Sequence, residues 1–133
     1  MEIKSAIPVL PVTNMDDGAR FYRDVLGFAI VHQETGYCVL ARDRIQVHLW
    51  GATDESWRTR EEGGPIESGA ESFLAGTHSC RIEVDGIDDL HRELEPKGIM
   101  HSNAPLQTRP WGAREFGVLD LYGNLITFFE FQA

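Results

Sequence analysis

Residues 14–28 read Asn14-Met15-Asp16-Asp17-Gly18-Ala19-Arg20-Phe21-Tyr22-Arg23-Asp24-Val25-Leu26-Gly27-Phe28. Asn14 is placed to cap a helix, and Asp16 and Asp17 suit the positive end of its dipole. Met15, Ala19, Tyr22 and Leu26 recur at helical spacing and give one apolar face, and Gly27 stops the helix. The arrangement returns in Asp85-Gly86-Ile87-Asp88-Asp89. Here Ile87, Leu90 and Leu94 share a face, and Pro96-Lys97-Gly98 ends the element. The aspartate pair and the arginine that follows it (Arg20, then Arg92) recur 72 residues apart. The chain is written twice.

The flanks repeat as well. Each helix is preceded by a short β-like run, residues 7–12 in the first half and 79–84 in the second. Strand patterns follow at 28–33, 37–42 and 45–50, and again at 100–104, 114–119 and 125–131. Asp43-Arg44 and Asp120-Leu121-Tyr122-Gly123-Asn124 are the turns that join the last two strands of each half. The fold class is α+β, with two βαβββ modules, about 1–50 and 77–133, in a single domain spanning 1–133. Each module leaves one sheet face bare and needs a partner. Residues 51–76 join the modules. They are rich in Gly, Glu, Ser and Thr, long for a connection, and read as a surface linker or as a flap with Trp57 and Phe73 as its apolar contacts.

Composition narrows the function. The chain has 133 residues, 42% of them hydrophobic, enough for one cored domain. Its formal charge of −9 argues against nucleic acid and suits a cationic ligand. No apolar run is long enough to span a membrane, and the N-terminal stretch lacks a secretory h-region. Cys38 and Cys80 have no CxxC spacing and read as buried, reduced thiols, so a cytoplasmic protein is expected. There is no phosphate loop and no nucleophile motif; no catalytic residue and no cofactor is assigned.

Arg109-Pro110-Trp111-Gly112 puts a tryptophan between proline and glycine, where loops carry function. Proline stiffens the approach, and Gly112 lets the backbone turn so that the ring projects.

Ile7-Pro8-Val9-Leu10-Pro11-Val12 and Arg20-Phe21-Tyr22-Arg23-Asp24-Val25-Leu26-Gly27-Phe28 resemble the opening of the vicinal oxygen chelate superfamily, which includes glyoxalases, extradiol dioxygenases and bleomycin-resistance proteins. Arg109-Pro110-Trp111-Gly112-Ala113-Arg114-Glu115-Phe116 resembles the bleomycin-resistance branch. That branch's Asp-Pro-x-Gly-Asn turn departs here to Asp120-Leu121-Tyr122-Gly123-Asn124, and residues 31–35 lack some of its acidic and aromatic character.

The superfamily's enzymes hold a divalent metal with four side chains, two from each half. The resemblance carries these positions to Ile7, His48, Ser79 and Thr127. Isoleucine has no donor atom, and lone hydroxyls are poor ligands, so a metal-free site is expected. His48 then reads as a half-buried pocket-wall histidine. The alternative is a metal-dependent lyase, isomerase or dioxygenase in which His48 pairs with a neighbour one register away, such as His78. The bleomycin-resistance resemblance implies a homodimer with drug clefts at its interface, an exchanged N-terminal arm near Pro8 and Pro11, and sequestration without chemistry. The ligand would be bleomycin or a similar cationic, planar natural product. Trp111 and Tyr37 match the aromatics that grip the drug's flat tail. With His48, Trp50 and Gly112 they are the expected ligand-binding set. Asp43, Glu115 and Asp120 are candidates for attracting the drug's positive charge.

Overall fold

The two written halves fold as two compact units in a computed structural model, residues 1–75 and 76–133, each carrying its own four-stranded sheet. The structure describes residues 1–52 and 76–132. Of the expected linker or flap at 51–76, residues 53–75, with Trp57 and Phe73, lie outside the described residues.

The first unit runs β1 (Val9–Val12), α1 (Met15–Asp24), β2 (Ala29–Gln33), β3 (Tyr37–Arg42) and β4 (Ile45–Gly51), in sheet order β1-β4-β3-β2. β1 pairs with β4 in parallel, and the other neighbours are antiparallel. The helix starts where the sequence indicates: the Asn14 side chain accepts from Asp17 N at 3.0 Å. Met15, Ala19, Tyr22 and Leu26 are buried, as are Leu10, Val12, Cys38, Leu40, Val47 and Leu49, and α1 packs on β2, β3 and β4. Alternation then fixes the other face. Tyr37 and Val39 of β3, and Gln46, His48 and Trp50 of β4, point away from the helix side.

The second unit runs β5 (Ser79–Glu83), α2 (Ile87–Leu94), a 3-10 turn (Glu95–Lys97), β6 (Gln107–Thr108), β7 (Ala113–Leu119) and β8 (Leu125–Phe131), in order β5-β8-β7-β6. Its core is Ile82, Ile87, Leu94, Phe116, Val118, Ile126 and Phe128. The start of α2 differs from that of α1. Its N-cap, Gly86, has no side chain to offer, and Glu130 of β8 takes over by accepting from Gly86 N (2.9 Å) and Ile87 N (3.3 Å).

The expected strand at 100–104 is a correction. Only Met100 bridges β7, opposite Val118, and pairing resumes four residues out of step at Gln107↔Glu115. A turn closed by Ala104 N donating to His101 O intervenes, and both ends of it hydrogen-bond Gly117. A Cβ on Gly117 would stand 2.8 Å from that of Ala104, so only glycine lets the turn sit this close. The matching edge strand of the first unit, β2, slips by one residue between Ile30 and His32. The internal repeat is therefore least faithful at the sheet edges.

Cysteine burial is a second correction. Cys38 is fully buried, but Cys80 is half-buried because β5 is an edge strand. Burial, with Asp120 adding to it, still pushes the Cys80 thiol up to about 11. No helix among the described residues is long and apolar enough to cross a membrane.

Candidate functional site

In the first unit, three expected site residues come together on the face turned away from α1. Tyr37 pairs with Trp50 and Val39 with His48 in the β3–β4 register. The Tyr37 ring stands edge-on to His48 at 5.3 Å and to Trp50 at 5.6 Å. Tyr37 Oη lies 2.6 Å from His48 Nδ1, and His48 Nε2 lies 2.9 Å from Gln46 Oε1. The amide oxygen of Gln46 only accepts, so Nε2 of the neutral ring carries the proton and donates. Nδ1 is then the acceptor and the Tyr37 hydroxyl its donor. His48 is half-buried with both ring nitrogens engaged in hydrogen bonds. Gln46 had no sequence signal beyond its place two residues from His48.

In the second unit, Trp111 stands out in solvent. The indole is 64% exposed at the third position of a turn that Gly112 N closes on Arg109 O at 3.0 Å. Gly112 sits at φ +94°, in the left-handed region, with nothing within 4 Å of where a Cβ would be. Its conformation, not crowding, requires glycine there. Backbone bonds pin the turn on both sides: Arg109 N donates to Ala113 O (2.7 Å), and Gln132 N to Gly112 O (2.8 Å).

Behind the turn lies an ion cluster that the sequence did not reveal. Glu115 is buried, 6% exposed. Arg109 Nε donates to its Oε1 at 3.0 Å and Arg81 Nη2 to its Oε2 at 2.8 Å. Burial pushes the Glu115 carboxyl up, but the hydrogen bonds and positive charges of the two arginines outweigh it and hold the group below its usual range. Each guanidinium also faces a ring: Arg81 lies 4.6 Å from the centroid of Phe129, and Arg109 5.7 Å from that of Trp111. Beside the cluster is a cavity of about 230 Å³ between the turn at 101–104 and the sheet, bounded by Arg109, Glu115, Gly117 and Thr127.

Two of the three acidic candidates for drawing a cation are buried and already engaged, and the third, Asp43, stays exposed. Both oxygens of Glu115 serve arginines. Asp120 is buried and accepts from the backbone N–H groups of Tyr122 and Asn124, each at 2.9 Å. Asp43 occupies the β3–β4 turn at φ +51°, beside Arg42.

The four metal positions do not fit an ion. The strand level with His48 offers Val9, and the strand level with Thr127 offers Arg81, which has no lone pair to give. Ile7 precedes β1, and the alternative partner His78 precedes β5. Among the described residues, no group of three or more His, Cys, Asp or Glu is gathered as a metal would need.

Comparison with known proteins agrees with this architecture. The family described as Glyoxalase/Bleomycin resistance protein/Dioxygenase superfamily matches residues 5–128. The chain belongs to that superfamily. It is 49% identical over 125 residues to a bleomycin resistance protein of Geobacillus stearothermophilus, covering 94% of this chain and 95% of the relative. Among solved structures it shares its fold with the bleomycin-binding protein of Streptomyces verticillus complexed with copper(II)-bleomycin (TM-score 0.68, 23% identity, 96% of each chain). It also shares it with a lactoylglutathione lyase of Agrobacterium tumefaciens (TM-score 0.72, 19% identity, 98% and 95%). The fold thus hosts both binders and an enzyme and does not choose between them.

Proposed function

We propose that this protein binds bleomycin, or a similar planar, cationic natural product, and confers resistance by sequestering it without chemical change. It works in the cytoplasm as a homodimer. In each chain residues 1–133 act as one binding domain, and the contacts to the drug are made by Tyr37, His48, Trp50, Trp111 and Gly112, with no metal and no catalytic residue. The nearly full-length relatives named bleomycin resistance proteins support the ligand.

The observation that carries the reading is a contrast between two side chains. The one ligand-grade imidazole among the four metal positions has both nitrogens committed to Tyr37 and Gln46. Trp111, an aromatic group as exposed as any among the described residues, is held out in solvent on a pinned turn. Stacking on an aromatic platform is worth about 1–3 kcal/mol per flat ring where it has been measured on bases. A net charge of −9 draws a cationic ligand toward the protein as a whole, a longer-range effect screened over about 8 Å in physiological salt.

Protein dialysed against a chelator, titrated with bleomycin and then denatured to release the drug tests the proposal against the metal-dependent enzyme. Full binding and recovery of drug of unchanged mass are expected. Binding that needs an added divalent metal, or release of an altered product, would make it an enzyme of the same superfamily instead.

A further inference from the structure

We propose that Glu115 and Arg109 are positioning residues for Trp111. The buried carboxylate fixes the guanidinium, and the guanidinium holds the exposed indole with one face covered and the other open. The inference rests on the reading of Trp111 as the stacking platform, and it adds what makes the platform rigid.

Glu115 is almost wholly buried, and its two oxygens are shared between Arg109 Nε and Arg81 Nη2. Removing either arginine leaves a buried carboxylate half-paired, so Arg109 is not free to swing into solvent. Its backbone is tethered too, through Arg109 N to Ala113 O and through Gly112 N to Arg109 O. The guanidinium carbon then lies 5.7 Å from the centroid of the indole, within cation–π range.

Trp111 gains little support from its neighbours in the chain. It is flanked by an exposed proline and by a glycine with no side chain. An exposed indole left to itself samples several rotamers, and ordering it on binding costs affinity. A guanidinium fixed from behind removes much of that cost in advance. It also sets specificity. With a cation on one face, the platform disfavours a second cation on the other and takes the neutral, flat part of a ligand. A ligand's positive charge must be accommodated away from this ring.

The test follows the indole N–H of Trp111 by 15N NMR in drug-free protein, its resonance identified by its absence in Trp111→Ala. A heteronuclear NOE close to that of the ordered backbone is expected in the wild type, with a clear fall in Arg109→Gln and in Glu115→Gln. Arg109 is about one-third exposed, so Arg109→Gln keeps the test available should Glu115→Gln fail to fold. Arg109→Gln is further expected to weaken bleomycin binding about 2- to 5-fold in the wild-type background and not at all in Trp111→Ala. An unchanged indole NOE in Arg109→Gln, or an equal loss of affinity with and without Trp111, would overturn the inference. Absence of bleomycin binding by the wild type would instead overturn the choice of ligand, and the NOE would still decide the role of Arg109.

Discussion

At the scale of single residues, the buried carboxylate of Glu115 makes stability depend on pH. Its pKa is depressed in the folded state, so it stabilises the fold in full above the ordinary glutamate range, about 4.3, and the contribution is lost as pH falls through the folded value. The melting temperature of the wild type should therefore fall more steeply between about pH 5 and pH 3 than that of Glu115→Gln, which has no proton to gain at this site. Parallel curves would mean that the arginine pairs do not hold the carboxylate. Local chemistry of this kind was only partly legible in the sequence. Trp111 and Gly112 were, because proline, tryptophan and glycine in succession have few uses besides a turn that presents a ring. Glu115 read only as one acid among several, because its partners Arg81 and Arg109 come from 34 and 6 residues away.

At the scale of elements, hydrophobic period and capping residues placed both helices and seven of the eight strands to within a residue or two, because both signals are local. The miss at 100–104 has a local cause in another element: Gly117 of β7 admits a turn where a regular edge strand would otherwise run. Gly117→Ala should lower stability, because its Cβ would meet that of Ala104 well inside contact distance. Thermal melts of the two proteins check this, and an unchanged melting temperature would show that the turn is free to move away. The turn between β7 and β8 offers a second case. Asn124 is fully buried; its amide nitrogen donates to Asp120 Oδ2 at 2.9 Å and its Oδ1 accepts from Gly76 N at 3.0 Å. Asn124→Ala strands these partners and should cost about 1–3 kcal/mol in a urea titration. The departure from the branch's Asp-Pro-x-Gly-Asn turn therefore leaves the polar frame of Asp120 and Asn124 in place. The capping of α2 by Glu130 was not legible, since acceptor and helix lie 44 residues apart in the chain.

At the scale of the whole molecule, the internal repeat was the most legible feature, because it is written in spacing rather than in any single residue. Assembly belongs to this scale. Residues 1–7 are exposed and outside any strand, and Met1, Ile3 and Ile7 show their apolar side chains to solvent. Buried against a second copy, this arm would join the dimer proposed above. Sedimentation at micromolar concentration should give twice the chain mass, and removal of residues 1–7 should weaken the association. A monomer at those concentrations would leave each chain to bind its ligand alone. The most direct test of the account as a whole is calorimetric titration of bleomycin into the wild type and Trp111→Ala, with melting temperatures taken without drug. We expect the wild type to bind and Trp111→Ala to lose about 1–3 kcal/mol, roughly 5- to 150-fold in affinity, with its melting temperature nearly unchanged. Unchanged affinity with a large fall in melting temperature, as from a tryptophan whose truncation costs a core about 3–5 kcal/mol, would contradict it.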